Sequence, residues 1–295
     1  MYRTTNALLL AALLGSACSG STGPGMNVGG DGGSGGGGGN PDLTTVGPPP
    51  AMMTTIRQLN GDQVTPGSRV EVIGVVQSPG AVGYAVDYDQ SCLFELAVVM
   101  ADPTPTLQDG IAVRMIQRNV VTGDMMIRDS DCQALAANQE IGKAPRDSAV
   151  TIQGVFNVQN GIHSIDVTPT FSHVTSSGKA QTLPQPVIIS PTQLPSAPIG
   201  STAPAAFDKA YGALVSLQNS GSTVTVSENH APTLSFKVAA PDNTKTRIAT
   251  DYPRLIDSTF MPPVDGTPYK AVVGVVATDL GGTVRLRDKN DLISQ

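Results

Sequence analysis

Two short stretches, "DYDQSC" at 87–92 and "DSDC" at 129–132, set pairs of aspartates beside cysteines. Carboxylate oxygens are the ligands that hard cations such as Ca2+ take. A bond between Cys92 and Cys132 would gather Asp87, Asp89, Asp129 and Asp131 into one neighbourhood, where like charges need a counterion or raised pKa values. The full loop pattern of a calcium site is missing, so loop aspartates facing water, with Asp129 or Asp131 capping a helix, are the plainer reading. Other chemistry is sparse. His163, His173 and His230 have no metal-ligand spacing, and Gly-x-Ser-x-Gly, His-Glu-x-x-His and Cys-x-x-Cys are all absent. The chain reads as a non-enzyme with no cofactor beyond a Ca2+ ion at the aspartates.

Whether the two cysteines bond depends on the compartment, and the N-terminus speaks to that. Arg3 is followed by the apolar run Ala7–Leu14 and by small residues Gly15, Ser16 and Ala17, the three parts of a signal peptide over 1–17. The run is too short to span a bilayer. The Gly-Ser-Ala-Cys ending resembles a bacterial lipobox, with the usual leucine one place early at Leu14 and Gly15 in its slot. That resemblance implies that Cys18 carries a diacylglyceryl group and becomes the mature N-terminus. An ordinary signal peptide cut near Ala17 is the competing reading. Ser19 stands where, by resemblance to diderm lipoproteins, an aspartate favours the inner membrane. The implied location is therefore the outer membrane, on its periplasmic face or the cell surface.

With Cys18 acylated, Cys92 and Cys132 remain as an even pair in an oxidising compartment, and a disulfide is expected. It would stabilise the fold by ~3 kcal/mol on the chain-entropy model. Two buried free thiols are the alternative. From 18 to 50 the Gly/Pro-rich chain offers too little apolar surface to offset the entropy of ordering it, which makes it a disordered tether. A glycine-rich coil of about 30 residues reaches roughly 30 Å.

The elements that must position these residues are strands. "SRVEVIGVVQS" (68–78), "SCLFELAVVMA" (91–101), "DGIAVRMIQ" (109–117) and the run from 148 to 174 are β-branched and bounded by Gly, Pro, Asp and Asn. "QNGI" (159–162) signals a tight hairpin, and 129–142 reads as one short helix ended by Gly142. The order then recurs in "KAYGALVSLQN" (209–219), "STVTVSE" (222–228), "TLSFKVA" (233–239), "TKTRIAT" (244–250) and the closing stretch 269–293. Gly154 falls opposite Gly274, Asn160-Gly161 opposite Leu280-Gly281, Ile165 close to Val284, and Gly212 is matched to Gly74. This is a duplication with a period of roughly 120 residues, right for tandem domains. "QTLPQP" (181–186) divides 51–180 from 187–295.

A bent strand with a mid-strand glycine, a hairpin, a helix and a final glycine-turned hairpin is the grammar of a five-stranded OB barrel. The pieces "V-x-G-V-V" and "Y-G-A-L-V" resemble the OB-like domains of uncharacterised bacterial secreted proteins and lipoproteins. The resemblance implies an all-β fold with one or two short helices, as two tandem OB-like barrels.

Composition limits the ligand. The formal charge is −6, charged residues are 14 % and aromatics 4 %, with no tryptophan, so phosphate clamps and stacking platforms are both scarce. The candidate platforms are Tyr84, Tyr88, Phe94, Phe156, Phe171, Tyr211, Phe236, Tyr252, Phe260 and Tyr269, of which Phe94, Phe156 and Phe236 sit in apolar strands and read as core. Nucleic acid is thus not the expected partner. The reading is a non-catalytic envelope lipoprotein that binds an unidentified protein or glycan, or serves a structural role. The alternatives are a surface cation- or carbohydrate-binding adhesion module and an accessory domain pair for a secreted enzyme.

Overall fold

Alternation is clearest in SAVTIQGVFNVQ, where Val150, Ile152 and Phe156 turn inward and their neighbours stay half-buried. A strand that alternates in this way packs one face on a core. The computed structural model describes residues 50–86, 91–118, 120, 129–136, 138–168, 173–230 and 235–294. The expected signal peptide and the expected tether up to residue 49, with Cys18, lie outside the described residues, as do Asp87, Tyr88, Asp89 and Phe171.

The first sheet uses β1 (Met52–Met53), β2 (Arg69–Val76), β3 (Val82–Val86), β4 (Ser91–Val99), β5 (Gly110–Gln117), β6 (Ser148–Gln159), β7 (Ile162–Asp166) and β8 (His173–Lys179), with helices α1 (Ile56–Asn60) and α2 (Asp129–Ala136). β2 pairs with β4 and β6, β4 with β5, β5 in parallel with β7, and β7 with β6, so five strands close into a ring. That circuit, with a helix between its third and fourth strands, is an OB barrel. β3 stands off the ring as a ribbon on β4. Thr55 and Gln58 form a capping box that starts α1, which buries Ile56 and Leu59 in the core.

The second sheet uses β9 (Val187–Ile189), β10 (Leu214–Leu217), β11 (Val224–His230), β12 (Ser235–Ala239), β13 (Lys245–Ala249), β14 (Pro268–Tyr269), β15 (Ala271–Ala277), β16 (Thr283–Arg285) and β17 (Leu292–Ile293), with α3 (Ala205–Lys209) and α4 (Asp251–Ile256). Its pairings repeat those of the first. β9 lies parallel to β10 as β1 does to β2, β13 parallel to β16 as β5 does to β7, and β15 joins β10 to β16 as β6 joins β2 to β7. The duplication extends to single contacts. A Cβ on Gly154 would strike Ile165, and one on Gly274 would strike Val284. Both the β6–β7 and β15–β16 connections carry a positive-φ pair, Asn160 and Gly161 at 53° and 81° in the two-residue first turn, Leu280 and Gly281 at 53° and 80° within the longer second one.

Three details differ from the sequence reading. Strand register sets Val70 opposite Gly154 and Val215 opposite Gly274, so the counterpart of Gly212 is Gly67, not Gly74, and both are at positive φ. The second ring does not close among the described residues. By the same register Ser220 and Gly221 stand where Val75 and Val76 cross to β4, but they lie inside the turn closed by the Asn219–Ser222 bridge. The strand is cut short before it can reach β12, leaving a half-barrel. Finally, the expected helix over 129–142 ends at Ala136, where i→i−3 bonds from Asn138 and Gln139 tighten the chain, and a separate 3-10 turn covers Glu140–Lys143. The two sheets span 52–179 and 187–293 and belong to one compact unit, Pro50–Gln295.

Candidate functional site

The outer face of the second and third ring strands is where OB barrels expose a ligand surface. Here β4 and β5 turn Ala97, Val99 and Ala112 outward, yet all three are buried. Ala97 and Val99 pack with Leu214, Val273 and Val275 of the second sheet, and Ala112 packs with Tyr211 and Ala277. The backbones themselves touch. A Cβ on Gly110 would come within 2.2 Å of the Gly212 carbonyl oxygen, and one on Gly212 within 2.7 Å of the Ile111 backbone.

A strip of charges and phenols continues this seam. The Tyr211 hydroxyl donates to Glu95 Oε2 and accepts from Arg114 Nη2 at 2.7 Å, while Arg114 Nε lies 3.3 Å from Glu95 and its guanidinium 5.0 Å from the Tyr211 ring centre. Arg285 of β16 bonds the Tyr84 hydroxyl and lies 5.1 Å from the Tyr84 and 5.4 Å from the Tyr252 ring centres. Its Nη2 lies 3.0 Å from Asp279, and the Nη1 that bonds Tyr84 lies 3.6 Å from Asp251. Burial pushes the Tyr211 and Tyr252 hydroxyls well above the usual phenol range and draws Arg285 down to about 10, so it remains a cation at neutral pH. Desolvation, then the charge of Asp279, pushes Asp251 up to about 7. Arg287 Nη1 also donates to Gln77 at 2.7 Å, and Arg146 pairs with Asp288.

Tyr84, Tyr211 and Tyr252 are thus occupied as lids on seam arginines, while Phe94, Phe156 and Phe236 are fully buried in the cores. Sequence reasoning does not find the seam, although a signal exists. "AVVGVVA" of β15 and "LAVV" of β4 are apolar without alternation, which is the mark of strands covered on both faces.

On the second sheet, the outer face of β11, β12 and β13 carries charge, but Glu228 sits 2.7 Å from both Lys237 and Lys245, and Arg247 donates to the carbonyls of Ala197 and Leu280. Below the seam runs a cleft of about 490 Å³ lined by Pro79, Pro145 and Arg146 from one side and Pro253, Ile256, Phe260 and Lys289 from the other. Ile256, Met261 and Val264 on and beside its loop are 61 %, 73 % and 71 % exposed.

The expected disulfide is present, joining Cys92 at the start of β4 to Cys132 in α2 with Cα atoms 5.4 Å apart. The Asp129 carboxylate accepts the Ala85 N–H at 3.0 Å, and Asp131 is exposed. With Asp87 and Asp89 outside the described residues, the four-aspartate cluster has no described geometry. His163 and His173 lie on β7 and β8, which pair with different stretches of β6, 155–159 and 148–153. His163 is held by Asn60 at 3.2 Å and Asp62 at 3.3 Å against the edge of Phe156, and desolvation lowers its pKa.

No protein-family model matches this chain, and no curated protein does. Among solved structures it is similar to a chain of a replication protein A heterotrimer bound to single-stranded DNA, at 10 % identity and TM-score 0.26, over 72 % of this chain and 57 % of that one. It is also similar to a deletion mutant of the single-stranded DNA binding protein from Thermus aquaticus, at 9 % identity and TM-score 0.23, over 74 % of this chain and 90 % of that one. This chain therefore spans little more than half the length of the first. Likeness this slight carries nothing about a ligand, and the OB assignment rests on the strand pairings given above.

Proposed function

We propose that this chain is an exported lipoprotein, anchored through Cys18, whose two fused OB units form a rigid, non-catalytic module that docks a protein partner in the cell envelope. One observation carries the choice of partner class. The β4–β5 face that would lay out a nucleic-acid strand is sealed by the second sheet, and three of the candidate tyrosine platforms are held under arginines. Stacking on aromatic faces supplies much of the energy of single-strand binding, so its loss removes the means of holding one. The disulfide fits an oxidising compartment, as an exported chain requires. The loop bearing Ile256, Met261 and Val264 supplies exposed apolar surface of the kind that meets other proteins.

The test has two arms. Labelled fatty acid is expected on the wild-type chain and not on Cys18→Ser, with the variant shifting from the membrane to the soluble fraction. Fluorescence anisotropy with a labelled thymidine oligonucleotide is expected to stay flat through about 10 μM protein at physiological salt. An unlabelled, membrane-free wild type sinks the anchoring, and a saturable rise in anisotropy sinks the choice of partner class.

A further inference from the structure

β3 is a five-residue strand with β4 on one side and, among the described residues, no strand on the other. An open edge presents unpaired N–H and C=O groups, a template for another strand. That edge is filled by α2. The Gly83 N–H donates to Gln133 Oε1 at 3.0 Å, the Ala85 N–H donates to Asp129 Oδ1 at 3.0 Å, and Gln133 Nε2 reaches the Ala81 carbonyl at 3.5 Å. Residues 81, 83 and 85 are the alternate positions that face away from β4. Asp129 and Gln133 are four apart, one helical turn, so both side chains leave α2 on the face that meets the edge. Two side chains thereby take the places of a neighbouring strand's backbone.

The approach is close enough to need a glycine. A Cβ at Gly83 would fall 2.4 Å from the Cys132 carbonyl oxygen. α2 buries Cys132 and Ala136 and packs Leu135 against the first core. The disulfide adds a covalent grip. Cys92 is the direct β4 partner of Ala85, so the bond fixes α2 beside the amides that it covers.

We propose that α2 is a guard over the β3 edge, latched there by the Cys92–Cys132 bond, and that without the latch β3 pairs with β3 of a second copy of this chain. An edge strand laid antiparallel on its own copy is self-complementary about a twofold axis, which makes the identical chain its natural match. Val82-Gly-Tyr-Ala-Val86 carries no proline and no charge to discourage such pairing.

The experiment uses the full chain with Cys18→Ser, so that no lipid drives association. Amide hydrogen exchange at Gly83 and Ala85 is compared with that at core strand amides of β6. In Cys92→Ala/Cys132→Ala both edge amides are expected to exchange about 100-fold faster while β6 stays protected, and light scattering is expected to report a concentration-dependent dimer. Asp129→Ala/Gln133→Ala, which keeps the disulfide, provides a milder check in case the cysteine variant does not fold, and the same two amides are expected to lose protection. Edge amides as slow as those of the parent in either folded variant overturn the guard. Released edge amides in a chain that stays monomeric overturn the pairing with a second copy.

Discussion

Gly212 shows how much one missing side chain decides. It sits at φ +81° with its Cα facing the Ile111 backbone across the seam, so any Cβ meets both strain and collision. Gly212→Ala is expected to cost about 2 kcal/mol or more, read as a lower denaturation midpoint with an unchanged slope. Glu228 makes the opposite kind of contribution. Hydrogen bonds from Lys237 and then Lys245 hold its carboxyl down to about 2, below the usual 4.5. A depressed carboxylate pKa stabilises the fold above the unfolded value, and that stabilisation is lost as pH falls through the folded one. The acid limb of stability between about pH 4.5 and 2 should therefore flatten in Glu228→Gln, while the melting temperature at pH 7 drops only slightly because the carboxylate is partly open to solvent.

At the scale of elements, β16 is three residues long yet delivers Arg285 into the seam between Tyr84 and Tyr252. Arg285→Met should remove the cation that both Asp279 and Asp251 face, and cost about 3 kcal/mol in urea unfolding at pH 7.5. Loss below about 0.5 kcal/mol would mean that the cation and its carboxylates contribute nothing net. The long strands β2, β4, β5 and β6 and the disulfide are legible in the sequence because β-branched runs, turn residues and an even cysteine pair each have one physical meaning. β3 is not legible, since "VGYAV" is short and glycine-broken and is fixed by contacts with α2 and β4. Nor is the truncation of β10, which depends on whether "NSGS" at 219–222 turns or bulges. The seam tyrosines read equally well as stacking platforms, because a phenol bears both a π-face and a hydroxyl, and only the arginine opposite reveals its use.

At the largest scale, the seam packs the two sheets together within the one compact unit Pro50–Gln295. Calorimetry of Pro50–Gln295 is expected to show a single transition with equal calorimetric and van't Hoff enthalpies. The isolated stretch 50–180 should bind a hydrophobic dye and aggregate, since Ala97, Val99 and Ala112 lose their cover. Two separated transitions, or a soluble and dye-free first half, would mean that the sheets are stable alone and merely touch.

The same seam imposes an order in time. A chain that emerges N-terminus first presents Ala97 and Val99 long before Val273 and Val275, more than half of the 295 residues later, can cover them. Contacts so distant in sequence form slowly. Until the last strands arrive, the first barrel carries a greasy, adhesive wall, and folding becomes a race between the arrival of those strands and capture of that wall by a neighbour or a chaperone.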